Sequence, residues 1–303
     1  MNQPKFQMGT GTWAWGDHLI WNFGQNYSEQ DLYEVFLRAI EDQIPFFFTS
    51  ENFAEGSSET FLGKFNQKAP GQAHFSTKFV PRFWRIDRNS FQRALKNSLK
   101  RLNCPQIDIY QTYPLQGIMS YDLLAECFAD AMEKNLIHFI GVSNFSKEQI
   151  EIFEEDLNHL GLRISFLETS YSLLDRSIES NGIQKICRQL GIQILAQSPL
   201  AMGLLTGKYD EENLPEGSRR ILMEPFLYSN LPVLLRHLKK IGSDHGGKNC
   251  SQVALNWIIQ KKIIPIPGSK NLKQIIENDQ AAGWEITPEE IQELDNFSEL
   301  IVS

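Results

Sequence analysis

Eight short apolar runs alternate with amphipathic stretches along this chain, and that alternation limits the folds open to it more than any other feature. A strand covered on both faces is apolar along its length, whereas a helix packed on a sheet repeats its apolar residues every three to four positions. The strand-like runs fall at 6–15, 44–48, 74–79, 107–113, 136–142, 163–169, 192–197 and 263–266. Helical spacing marks the stretches between them. After Ser28, Leu32, Val35, Phe36, Ala39 and Ile40 share one face, and in 88–102 Phe91, Leu95, Leu99 and Leu102 do the same. Further helices are expected over 123–134, 178–190, 231–241, 251–262 and 271–281. Ser146 with Gln149 and Thr287 with Glu290 form capping boxes, the second with Pro288 at the first helical position.

Strands alternating with helices pair in parallel through crossover connections. Eight such units without a linker-like break predict one (β/α)8 barrel, an α/β TIM barrel spanning residues 1–303. A doubly wound open sheet would carry a GxGxxG turn after its first strand, and Gly9, Gly11 and Gly16 do not have that spacing. A barrel gathers the carboxyl ends of its strands at one mouth. Phe48, Lys78, Tyr113, Asn144, Glu168 and Gln197 are expected there.

Charge and composition narrow the function. A net charge of −8 argues against a nucleic-acid partner. No apolar run is long enough for a membrane span, and the amino terminus lacks the pattern of a secretion signal. Cys104, Cys127, Cys187 and Cys250 are widely spaced with no CxxC pair. They read as reduced, mostly buried thiols of a cytoplasmic protein, with no metal site expected. The partner class that remains is a small-molecule substrate, and no feature signals an oligomeric state.

The stretch 44–62, IPFFFTSENFAEGSSETFL, carries the sharpest chemical information. Its polar loop follows a strand and holds one carboxylate, Glu51, beside Phe48 and Phe53, and Gly56 precedes a helix start at Ser57. Lys78 ends a buried strand and needs a counter-charge, with Glu51 and Glu168 as candidates. Tyr113 could donate a proton if an ammonium lay nearby. Trp15, Phe48, Phe53 and Trp84, with Glu51, are the candidate lining of an apolar or aromatic substrate pocket. The turn after the last strand, Gly268–Ser269–Lys270, feeds a helix amino terminus, which attracts phosphate.

The segments GTWAWG, STKF, IDIYQTYP, GVSNFS, YSLLDR, LAQSPLAMGLLTGKY and IPIPGSK, in this order over nearly the whole chain, resemble the aldo-keto reductase family. That family is a (β/α)8 barrel that reduces aldehydes and ketones with NADPH, usually through an Asp, a Tyr, a Lys and a His. Carried onto this chain, the resemblance implies that Phe48 stands in the aspartate's place, Phe53 in the tyrosine's and Tyr113 in the histidine's. Only Lys78 is kept. It further implies an NADP(H) site. Ser143, Asn144 and Glu168 would meet the nicotinamide amide, where Glu168 replaces the usual Gln, and Gln197 would replace the stacking tyrosine. Ser198, Leu200, Gly203 and Lys208 would follow the cofactor outward, and Gly268, Ser269, Lys270, Gln274, Glu277 and Asn278 would hold the adenosine and its 2′-phosphate.

The resemblance implies a divergent reductase of an apolar or aromatic carbonyl, with Lys78 and Tyr113 as the expected working pair. Two other classes fit the same residues. One is a non-redox isomerase or lyase acting through Lys78, Glu51 or Glu168. The other is a catalytically silent protein that binds NADP(H).

Overall fold

The computed structural model describes residues 4, 6–117, 119–210, 212–215, 219–221, 223 and 230–302. Eight parallel strands lie in one sheet in chain order: β1 (Thr10–Gly11), β2 (Phe46–Phe48), β3 (His74–Phe79), β4 (Ile107–Thr112), β5 (Ile137–Ser143), β6 (Phe166–Ser170), β7 (Gln193–Gln197) and β8 (Ile264–Pro265). The sheet curls until its first strand meets its last. Gly9 N donates to Pro265 O at 3.0 Å, Gly11 N donates to Pro267 O at 3.0 Å, and Gly11 bridges Gly268 in parallel. The fold is therefore the (β/α)8 barrel expected from the alternation.

The elements do not all fill the runs that predict them. The first run, 6–15, yields only Thr10–Gly11. Phe6 instead stacks on Phe46 with ring centroids 4.2 Å apart and helps to fill the barrel interior. The helix expected over 178–190 is two helices, Ser177–Ser180 and Ile183–Leu190. Gly182 separates them at φ +88°, a conformation that ends one helix and starts the next.

The period of two along each strand sorts the side chains into two cores. Phe46 and Phe48 on β2, Ile109 on β4, Phe139 on β5 and Phe166 on β6 pack inside the barrel. Their neighbours Phe47, Tyr110, Ile140 and Leu167 point outward into the layer of helices. The amphipathic helices close over that layer, as Glu29–Glu41 does with Leu32, Val35, Phe36 and Ala39. Ser28 caps this helix through a reciprocal box with Asp31. Cys127, Cys187 and Cys250 are buried, Cys104 is partly buried, and all four are free thiols. No helix among the described residues is long and apolar enough to cross a membrane.

Close approach of side chains fixes two glycines of the barrel. A Cβ on Gly9 would lie 2.3 Å from Cε2 of Phe48, so only glycine leaves room for that phenyl ring. A Cβ on Gly141 would lie 2.8 Å from Cγ of Gln111. Gln111 is fully buried and held by its amide, so it cannot swing aside cheaply. Overpacking of this kind costs about 1–3 kcal/mol. Gly141→Ala is therefore expected to lower the unfolding free energy by about that amount in urea titration, with little change in far-ultraviolet circular dichroism.

Candidate active site

Alternate residues of β3, β4 and β6 carry polar groups into the barrel just above its apolar filling. Lys78 is opposite Gln111 in the β3–β4 register, Gln111 is opposite Gly141, and Glu168 is opposite Ser143. The Lys78 side chain is completely buried. Its Nζ lies 2.9 Å from Glu168 Oε1 and donates to Thr49 O at 3.1 Å. Gln111 Nε2 donates to Glu168 Oε2 at 2.8 Å and to Ser76 Oγ at 2.8 Å. The carboxylate thus has a partner for each oxygen, which is what a buried charge requires. The Phe53 ring centroid lies 5.5 Å from Nζ.

Of the two counter-charges open to Lys78, Glu168 is the one used. Glu51 is spent elsewhere. Its carboxylate accepts from both terminal nitrogens of Arg85, at 3.0 Å from Nη2, and from Val80 N at 2.7 Å. This clamp ties the loop after β2 to the loop after β3 and keeps Glu51 out of the pocket. Lys78 makes no direct hydrogen bond to the phenol of Tyr113, the residue expected to work with it. β4 ends at Thr112, so the pleat that aims Gln111 at Lys78 does not extend to Tyr113. The Tyr113 backbone is engaged with Phe79 O and Thr112 Oγ1.

Two of the expected pocket aromatics also move. Trp15 is fully buried and packs on Phe47 and Phe65 in the outer layer. Its Nε1 donates to Ser269 O at 2.9 Å, which makes it a strut under the loop after β8. Trp84 is exposed on the loop after β3, edge-on to Phe83. Phe48 and Phe53 do line a cavity at the mouth, joined by Trp13, Trp21 and Met202, which the sequence reading did not select. Trp13 and Trp15 have the same composition signal, and only their placement in the loop separates pocket from core.

The cavity holds about 410 Å³ and follows the seam between β1 and β8. Gly11, Thr12, Ile266 and Pro267 form its floor, and Glu168 and Gln197 line it near the barrel axis. Ser198, Leu200, Gly203, Lys208, Gly268, Lys270, Gln274, Glu277 and Asn278 complete its outer walls. Three of the residues assigned to the cofactor do not line it. Ser143 is fully buried with no partner for its hydroxyl, Asn144 is exposed, and Ser269 is buried, its Oγ accepting from Asn278 Nδ2 at 3.0 Å.

The outer end is strongly cationic. Lys270, Arg219 and Lys208 all line the cavity, and none has a carboxylate partner among the described residues. Arg219 is buried in the long segment between β7 and the helix Leu231–Asp244, whose irregular composition gave no means of singling it out. Its Nε is buried without a hydrogen-bond partner. Arg219 and Lys270 share the Trp21 ring, at 4.9 and 5.2 Å from its centroid, and Lys270 lies 5.0 Å from that of Tyr27. Aromatic faces compensate part of the missing counter-charge. Burial, with repulsion from Arg219 and Lys208, brings the Lys270 ammonium down to about 8. Asn271 caps the helix Leu272–Asp279, whose amino terminus opens on the same space. A cationic cluster with an orphaned guanidinium donor at a helix start fits a phosphate-bearing ligand.

With this geometry established, comparison with known proteins is direct. Residues 7–299 match the Aldo/keto reductase family, and the chain belongs to it. The pyridoxal reductase of Arabidopsis thaliana, a chloroplastic protein, is 35% identical over 305 residues, covering 95% of this chain and 82% of that protein. An aldo-keto reductase of Bacillus subtilis (strain 168) is 25% identical over 311 residues, covering 98% and 91%. Among solved structures, the glycerol dehydrogenase of Gluconobacter oxydans superposes with a TM-score of 0.86 at 22% identity, over 100% of this chain and 94% of that one. An aldo-keto reductase from Klebsiella pneumoniae, solved with NADPH, gives 0.76 at 22%, over 96% and 90%. These structural likenesses establish the shared barrel.

Removing one partner of a buried ion pair costs about 3–5 kcal/mol, because the other charge is left stranded. Lys78→Met is expected to destabilise the protein by about that amount, and Lys78→Met with Glu168→Gln by distinctly less. Urea unfolding of the two singles and the double variant measures the coupling.

Proposed function

We propose that this chain is an NADP(H)-dependent reductase of a planar aromatic aldehyde of the pyridoxal kind. The observation that carries this reading is the single cavity that joins an unpaired cationic cluster to an aromatic, Glu168-lined end at the barrel axis. The 35% identical pyridoxal reductase supports the substrate class, and the neighbour solved with NADPH supports the cofactor.

The residues present fit that cofactor. Lys208, Arg219 and Lys270 would hold the 2′-phosphate, with Arg219 Nε as a donor waiting for an acceptor. Gln274 and Asn278 line the adenosine end, and Gln197 and Glu168 face the nicotinamide end. When bound, a dihydronicotinamide supplies hydride to a carbonyl carbon. Phe48, Phe53 and Trp13 would keep water from the reacting carbonyl and stack on an aromatic substrate. The buried Lys78–Glu168 pair holds the proton that the reduced oxygen needs. The implied replacement of the family's Asp, Tyr and His by Phe48, Phe53 and Tyr113 belongs to this reading: the mouth is drier, and its acid is built differently.

Fluorescence titration should show NADPH binding roughly tenfold to a hundredfold tighter than NADH, the yield of about 1.5–3 kcal/mol from charge-assisted hydrogen bonds. Lys270→Ala should erase much of that preference. The sign of the pH dependence follows from Lys270: the ammonium binds phosphate, and in the free protein it is lost as pH rises through about 8. NADPH affinity should therefore fall above pH about 8 while NADH affinity does not, and Lys270→Ala should flatten the difference. Equal and weak binding of the two nucleotides would remove the cofactor assignment.

The substrate class is tested by NADPH oxidation with pyridoxal, substituted benzaldehydes and short aliphatic aldehydes. Aromatic aldehydes should give the higher kcat/KM, and Phe53→Ala should erase part of the margin, about 0.5–1.5 kcal/mol for one aromatic pair. Tight NADPH binding with no turnover of any aldehyde would instead mark a silent binding protein.

A further inference from the structure

Among the described residues Lys78 is the one cation buried inside the barrel, and it does not line the cavity. Its side chain has no exposed surface, and the cavity-lining Phe53 ring has its centroid 5.5 Å from Nζ. It has two hydrogen-bond partners. Thr49 O is a buried backbone carbonyl and does not line the cavity. Glu168 both receives Lys78 at 2.9 Å and lines the cavity. Any proton that passes from Lys78 to a bound molecule must cross this carboxylate.

We propose that Glu168 is the catalytic acid of this protein, loaded by Lys78, and that it protonates the oxygen of the reduced carbonyl. The inference rests on the reductase reading. In the step, one N–H bond of Lys78 breaks as an O–H bond forms on Glu168 Oε1. That O–H then breaks as its proton bonds to the alkoxide oxygen of the substrate, giving the alcohol. Glu168 is left a carboxylate and Lys78 a neutral amine. A solvent proton entering through the cavity after product release restores the ammonium by the same route. No electrons change hands between the two residues.

The surroundings are built for that task. Gln111 Nε2 fixes Oε2 at 2.8 Å and is itself held by Ser76, so the carboxylate cannot turn away from Lys78. Gly141 leaves the space that Gln111 occupies. The low polarity of the surroundings strengthens the coupling between ammonium and carboxylate. Lys78 acts through Glu168, so it is a positioning residue and proton reservoir. Tyr113 makes no hydrogen bond to either member of the pair.

The test combines kinetics with a measurement on the cofactor-free protein. Glu168→Gln should lower kcat for aromatic aldehydes by about 10²–10⁴-fold, the usual contribution of general acid catalysis, with the aldehyde KM changed less than about threefold. Glu168→Asp, which keeps the charge on a shorter stem, should fall between. In protein labelled with ¹⁵N at lysine Nζ, nuclear magnetic resonance should show one ammonium protected from solvent exchange, assigned by its loss in Lys78→Met and absent again in Glu168→Gln. Full kcat in Glu168→Gln overturns the proposal, and so does a protected Lys78 signal that is unchanged in that variant. Loss of turnover in Tyr113→Phe while Glu168→Gln stays active overturns it in favour of the phenol. A wild-type protein that reduces no aldehyde removes the reductase reading, and the acid role of Glu168 with it, whatever the resonance shows.

Discussion

The backbone seam between the first and last strands is the constraint on which the molecule depends. Without the bonds from Gly9 N to Pro265 O and from Gly11 N to Pro267 O, the sheet would have two open edges and no interior. Both strands at the seam are only two residues long, so few ladder bonds hold it. Side chains reinforce it from outside. Trp15 donates to Ser269 O across the gap, and the hydroxyls of Thr12, Ser58 and Thr49 link the loops after β1 and β2. The cavity lies along this seam, so short closing strands leave room for it while the loops above them supply its walls.

Inside the barrel a second constraint operates. The lower interior is filled by Phe6, Phe46, Phe48, Phe166 and their aliphatic neighbours. A lysine set directly above such a filling must find an anion within reach. The protein supplies Glu168 and then spends Gln111 and Ser76 to complete the carboxylate's hydrogen bonds. A buried pair of this kind gives little net stability.

The outer end of the cavity shows the opposite arrangement. Burial brings Lys270 down to about 8, and repulsion from Arg219 and Lys208 adds to the shift. Nothing in the described fold neutralises them except aromatic faces. A phosphate bound there relieves repulsion as well as forming new bonds, so the fold holds in reserve free energy that only an anionic ligand releases. One cavity thus has a cationic end and, near the barrel axis, an end where Phe48, Phe53 and Trp13 meet Glu168 and Gln197.

The amino-acid sequence alone determined the barrel, the order of its units and the lining near the last strand. Alternating periodicities can be counted in one dimension, and Gly268, Lys270, Gln274 and Asn278 sit on one turn and one short helix where spacing is geometry. Tertiary structure decided the partners. Whether Lys78 meets Glu51, Glu168 or Tyr113 depends on which strand faces which across the barrel, on where β4 stops its pleat, and on Arg85 reaching Glu51 first. Trp15 became a strut and Trp13 a wall by their positions in one loop, and Arg219 came to the cavity from a stretch without periodicity. Charge pairing falls off with distance in space, and separation along a chain carries no measure of that distance once the sheet has closed.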